Sequence, residues 1–248
     1  MPSHHPQGRD PEADRTIRAL DTPLGPTILL DRPERRNALT LPMWQALGAR
    51  VVELAAGTSG PVYLMGAGGY FSSGADLGSL AFARSSEEQA LEFVEGVVTC
   101  LMRVHLADLE VVAVVEGGAA GGGVEIMAAC DRRVAIGAPR LVFPFGHHGM
   151  ELDGLTRWRL TRLVGEVEAE RLVDGRHVVE ADEATRLGLF DQHYETLEEL
   201  ARAESTRPAD PPSGAAAEKF TRHGEDFAAA VARASVPMLQ AFPPHRTG

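Results

Sequence analysis

An all-apolar run, VVAVV at 111–115, meets five glycines within the seven residues Gly117–Gly123 and then the helix formers VEIMAAC. A strand built only from apolar residues has to be covered on both faces, which points to a parallel sheet flanked by helices. A strand that ends in Gly-Gly and restarts as a helix after Gly121-Gly122-Gly123 leaves bare N–H groups at a helix N-terminus, where they can donate to an anion. With no Cβ in the way, a ligand can come up against the backbone there. A tight strand-to-helix turn would use the same glycines, so they alone do not define a site. Glu125, in the first turn of that helix, gains roughly 0.3–1 kcal/mol from the helix dipole whatever else it does.

The remaining chain fits the same layered plan. Residues 24–30 and 61–66 read as strands, and Leu41, Trp44, Leu47, Val51 and Leu54 recur at helical spacing behind a Thr40 N-cap, with Pro42 in the first turn. A glycine-rich loop, GAGGYFSSGADLGSL, follows the second strand, and Ser85 to Leu106 reads as a long amphipathic helix opening on Ser-Ser-Glu-Glu. After VVAVVEGG come a helix over Gly123–Cys130, strands RRVAIGA and RLVF, an irregular PFGHHGMELDG and a helix over Leu155–Leu163. Strands alternating with helices make the class α/β. The predicted organisation is a mobile N-terminal tail over 1–14, a core domain over 15–204, a linker over 205–214 and a C-terminal helical segment over 215–248.

Charge narrows the partners. The formal net charge is −11, and Lys219 is the one lysine among 24 basic residues, so no basic face is available for nucleic acid. The local pair Arg35-Arg36 is enough to hold one anionic group. Cys100 and Cys130 sit in apolar, helical surroundings without metal-ligand spacing, which reads as two reduced thiols and no metal. No apolar stretch approaches the ~18 residues of a membrane span, and the N-terminus lacks an apolar signal core; the expectation is a cytoplasmic protein with no membrane partner.

Phe71-Ser72-Ser73-Gly74-Ala75-Asp76-Leu77 is a second glycine-containing loop that also follows a buried strand. Two such loops can each aim one amide at a single oxygen, the design of an oxyanion hole. With DRPERRNALT, FSSGADL, VEGGAAGGGVEIMAACD, and RLTRLVG with the later EATRLGLFDQ, the chain resembles the crotonase superfamily, the enoyl-CoA hydratase/isomerase family. The likeness covers about Ile17 to Tyr194. It implies a crotonase-like spiral of ββα turns with a helical C-terminal region, an acyl-CoA thioester as substrate, coenzyme A present only as part of that substrate, and a homotrimer or hexamer.

By position, the resemblance makes Ala75 and Gly122 the oxyanion-hole donors and assigns Arg36, Ala38, Ser73, Asp76 and Leu77 to the CoA site. Glu125 falls where hydratases keep one of two catalytic glutamates. The position of the other holds Phe145, which cannot carry a proton and becomes a wall of the acyl pocket. Asp153 falls where dienoyl-CoA isomerases keep an aspartate and 4-chlorobenzoyl-CoA dehalogenase its nucleophile; it could equally cap the helix that follows. His147 and His148 lie where some C–C bond hydrolases of the superfamily place a histidine. Glu116 replaces the family's usual asparagine, and the C-terminal part is short. The expected function is enoyl-CoA isomerisation or hydration through a thioester enolate, the alternatives being a hydrolase of a C–C or C–halogen bond and a non-catalytic partner subunit.

Overall fold

The computed structural model describes residues 11–145, 152–174 and 177–207, together with 235, 236 and 239. Most of the expected tail, most of the linker, most of the C-terminal segment expected over 215–248, and His147 and His148 lie outside the described residues. Residues assigned to the end of the tail instead belong to helix α1 (Pro11–Thr16), whose Ala13 is buried in the core.

One mixed sheet organises the molecule. β1 (Ile17–Thr22) pairs antiparallel with β2 (Gly25–Leu30), a hairpin of which the apolar pattern shows only the second arm, because IRALDT buries few residues. β2, β3 (Val62–Gly66), β4 (Val111–Ala120) and β5 (Arg132–Phe143) then run parallel. β5 is one strand where two were expected. Its register against β4 shifts between Glu116 and Gly118, and its two halves take different outer partners. The first half pairs with β7 (Gln192–Tyr194) and the second with β6 (His177–Val179).

The helices are α2 (Leu41–Gly57), α3 (Leu77–Ala83), α4 (Glu87–His105), α5 (Gly122–Ala129), α6 (Gly154–Val164), α7 (Glu166–Asp174), α8 (Ala181–Leu187) and α9 (Leu197–Ser205). Thr40 precedes α2, but its side chain makes no capping bond; Ser86 does cap α4, accepting from the Gln89 N–H. The glycine-rich loop is shorter than predicted, since Asp76 starts α3 inside it.

β4 shows why the parallel arrangement follows from the sequence. Val111, Ala113 and Val115 belong to the main core with α2, α4 and α5, while Val112 and Val114 belong to a second cluster with Tyr63, Val134, Ile136 and Leu200. All five are at most 1% exposed. Burying a valine side chain stabilises by about 1.5–3 kcal/mol, so a solvated face here would be costly. α9 covers the second face through Leu200 and an ion-pair cluster. Arg132 of β5 makes two parallel bonds to Glu204, at 2.7 and 2.8 Å, and Tyr63 Oη donates to the same carboxylate at 2.6 Å. Glu110 bonds both Arg132 and Arg207. Among the described residues, no helix is long and apolar enough to cross a membrane.

Candidate active site

The site begins with an asparagine. Arg36 and Asn37 both take positive φ, 48° and 54°, and turn the chain so that the Asn37 side chain is fully buried. Its Oδ1 accepts from the Arg32 N–H at 3.0 Å, and its Nδ2 donates to the carbonyls of Ala67, Tyr70 and Phe71. Ser72 Oγ donates to the Asn37 carbonyl and accepts from the Gly74 N–H. The loop is therefore tied to the strand end before any ligand arrives.

Ala75 is held by its neighbours. Leu39 N–H donates to the Gly74 carbonyl at 2.7 Å and Asp76 N–H to the Leu39 carbonyl at 2.8 Å, a bridge that leaves the Ala75 N–H out. On the other side, Ala120 N–H donates to Ser72 O at 2.9 Å. Gly122 opens α5, so its N–H has no intrahelical acceptor. Among the described residues, neither the Ala75 nor the Gly122 N–H bonds to a protein acceptor.

The two loops touch. A Cβ on Gly74, which has φ of 88°, would lie 2.4 Å from the Gly122 nitrogen; one on Gly122 would lie 2.8 Å from Cζ2 of Trp44 and 3.2 Å from the Gly74 Cα. Only glycine at both positions allows this approach. Two unpaired amides on adjoining loops bring partial positive charge together.

Glu125 lies one helical turn beyond Gly122 and is 5% exposed; Asp153, the N-cap of α6, is 0% exposed. Asp153 Oδ1 accepts from the Thr156 N–H at 2.9 Å, while Oδ2 is buried without a partner of regular hydrogen-bond geometry. Burial, then the charge and proximity of Asp153, push the Glu125 carboxyl well above the usual carboxylate range. Burial also raises Asp153, although the Thr156 hydroxyl and backbone N–H groups pull against it. Two buried carboxyls that perturb each other do not readily ionise together, and both are pushed toward the protonated form. Asp153 carries capping bonds that favour its ionised form and Glu125 does not, so of the two Glu125 is the one more strongly pushed toward holding a proton.

The expected CoA-facing residues divide. Arg36 is exposed, with its guanidinium 5.6 Å from the Tyr70 ring centroid, and Leu77 is 81% exposed. Ala38 is buried. Ser73 Oγ donates back to the Arg35 carbonyl at 3.2 Å. Asp76 is occupied by the protein: Oδ1 caps α3 through Gly78 and Ser79, and Oδ2 pairs with Arg32 at 2.9 Å. Partial burial pushes its pKa up, but Arg32 and the two amides outweigh that and hold it low. Its side chain thus positions the loop rather than offering a free acceptor. Phe145 is 2% exposed and packed into the main core.

Sequence reasoning passed over Asn37, Ser72 and Trp44 as site-building residues. An asparagine after two arginines carried a signal of positive φ, but three of its four side-chain hydrogen bonds go to a loop about thirty residues away. Trp44 read as an ordinary apolar position of α2, and its place under Gly122 is a tertiary fact. Cys100, which reads as an inert thiol, has its pKa pushed up to about 12 by burial.

Comparison with known proteins returns one family. The model of the enoyl-CoA hydratase/isomerase family matches residues 26–228. A probable enoyl-CoA hydratase of Mycobacterium bovis is 30% identical over 166 residues, 67% of this chain and 65% of that protein. The ethylmalonyl-CoA decarboxylase of Danio rerio is 34% identical over 163 residues, 64% of this chain and 53% of that protein. The chain thus spans somewhat less than two thirds of the length of these relatives. Among solved structures, an enoyl-CoA hydratase of Bacillus halodurans superimposes with a TM-score of 0.79 at 24% identity, covering 92% of this chain and 95% of that one, a likeness of fold. An enoyl-CoA hydratase/isomerase family protein of Hyphomonas neptunium gives 0.76 at 26% identity, covering 92% and 87%.

Proposed function

The chain belongs to the enoyl-CoA hydratase/isomerase family, the crotonase superfamily, and on that premise we propose that it moves a proton on an acyl-CoA thioester enolate, with isomerisation of an enoyl-CoA as its reaction. The observation that carries this reading is the buried carboxyl pair of Glu125 and Asp153, with Glu125 one helical turn beyond Gly122, whose unpaired amide lies against the loop that carries the unpaired amide of Ala75. In the proposed mechanism those amides donate to the thioester oxygen and stabilise the charge that develops as the α-proton leaves; one such donor contributes on the order of 2.7–4 kcal/mol. A pair holding one proton and one negative charge can accept a proton from one carbon and return it to another, which is all an isomerase requires. Hydration calls for a second group to activate water, and Phe145 cannot do so. Arg36 and the exposed rim beside it would face the CoA phosphates.

A second reading has a specific basis. Several relatives are named ethylmalonyl-CoA decarboxylase, and a buried protonated carboxyl is suited to protonating the enolate left when carbon dioxide departs. Hydrolysis with Asp153 as nucleophile is less well supported, since one of its oxygens is spent capping α6.

A panel of 2-enoyl-, 3-enoyl- and 2-carboxyacyl-CoA thioesters separates these readings. Conversion of the 3-enoyl to the conjugated 2-enoyl thioester, followed by ultraviolet absorbance, is the expected result. Release of carbon dioxide from the 2-carboxyacyl thioester would transfer the assignment to the second reading. Calorimetric binding with no turnover of any member would leave only the non-catalytic relative.

A further inference from the structure

Beyond the groups that would touch substrate, one side chain links the two helices that carry the carboxyl pair. Arg159 lies in the second turn of α6, the helix that Asp153 caps. Its Nε donates to the Ala128 carbonyl at 2.8 Å and its Nη2 to the Cys130 carbonyl at 2.7 Å. Those carbonyls end α5, the helix whose first turn holds Gly122 and Glu125. A cation at a helix C-terminus is favourable in itself, yet the arrangement here is more demanding. Arg159 is partly buried and forms no ion pair with a carboxylate among the described residues. Arg133 donates to the same Cys130 carbonyl at 3.0 Å but is neutralised by Asp191 at 2.6 Å. Burial and the neighbouring Arg133 both oppose the charge on Arg159, only partly offset by Asp131 and Asp191.

We infer that Arg159 is a positioning residue, a two-point clamp between α5 and α6 that sets the separation of Glu125 and Asp153. A neutral side chain would satisfy packing at that point without carrying a charge into a half-buried place, so packing alone does not account for it. The rest of α6 is fixed differently: Trp158 meets His105 of α4 edge to face at 5.7 Å, with the Arg162 guanidinium 4.9 Å from the Trp158 ring centroid. That contact sets where α6 lies on α4, and the clamp sets where it lies on α5. Apart from the contact of Glu125 with Asp153 itself, the clamp is the charged side-chain link between α5 and α6 among the described residues, and it constrains the separation of the pair from outside the pair.

The inference rests on the proton-exchange reading of the pair, and its test has a readout that needs no substrate. In difference infrared titration of the whole protein, the protonated carboxyl band that Glu125→Gln removes should persist in the wild type well above the ordinary carboxylate range. In Arg159→Met, which frees α5 from α6, that band should be lost at a pH lower by about one unit, and Arg159→Lys should fall between. With a thioester that the wild type turns over, kcat should drop on the order of 10–100-fold, as expected for a misplacement near 1 Å, with KM little changed because the CoA-facing loops are untouched. If Arg159→Met, or Arg159→Gln where the methionine variant does not fold, keeps the wild-type infrared titration while losing only thermal stability, the positioning role is overturned. If the band moves as expected but no thioester is turned over, the clamp stands and the enzymatic reading fails.

Discussion

Two buried clusters of ionisable groups lie on opposite faces of the sheet and obey opposite rules. Under the second face, Arg132, Glu204, Tyr63, Glu110 and Arg207 match charge with charge, and the bidentate pair is completed by a phenol. Burial raises Glu204, but Arg132 and Tyr63 outweigh it and hold its pKa low, while Tyr63 is pushed up by burial and by Glu204. On the main-core face, Glu125 and Asp153 place like beside like, with one oxygen unpartnered. A satisfied cluster holds α9 on the sheet. A frustrated one pushes a carboxyl toward its protonated form, which is the expected mark of a group that exchanges protons.

The contrast can be broken from either side, and the largest effect belongs to the frustrated pair. Glu125→Gln should lower turnover by roughly 10²–10⁴-fold while the protein stays folded. Because its pKa is raised on folding, the glutamate's contribution to stability is fully present below the usual carboxylate range and declines as pH rises toward its folded value. Thermal melts should therefore show Glu125→Gln more stable than the wild type at pH 8, with the gap closing toward pH 4; a constant gap would contradict the raised pKa.

Next comes Glu204→Gln, which removes the bidentate carboxylate from Arg132 and leaves it Glu110 and Gln192, and should cost about 1.5–3 kcal/mol in urea unfolding with kcat unchanged. Here the sign reverses. Glu204 has a lowered pKa, so the stability it supplies is present at neutral pH and disappears as pH falls below the carboxylate range. The wild type and Glu204→Gln should thus converge in acid, whereas the wild type and Glu125→Gln separate on going to alkali. Gly122→Ala pushes a methyl into the Trp44 ring and should cost about 1–3 kcal/mol in stability and a larger share of activity. The smallest effect is Asp76→Asn, which keeps a capping oxygen and loses only a partly exposed ion pair, within about 1 kcal/mol by thermal melt.

The two clusters were not equally legible in the residues. Glu125 stands in a glycine-marked motif, so its position announces itself, and Asp153 follows from register with RLTRLVG. Glu204 and Arg132 are 72 residues apart, one in a stretch to which the sequence assigned no element and the other at the start of the strand RRVAIGA. Nothing local says that they meet. The same division runs through the fold: β4, with its unbroken apolar run, was plain, whereas β1 alternates polar and half-buried residues and is a strand only because β2 pairs with it.

What the sequence by itself determined was local: a doubly covered parallel strand, two glycine loops that no side chain could occupy, and a carboxylate one turn into a helix. These follow from sterics and hydrophobic period, which act over a few residues. Only the tertiary structure decided that Gly74 and Gly122 touch, that Asn37 binds the loop together, that Asp76 is spent on Arg32, and that Glu125 meets Asp153 out of water. Each is a contact between segments distant in the chain, and the energies that matter there, desolvation and Coulomb interaction, depend on what the folded chain places nearby rather than on what lies next in sequence.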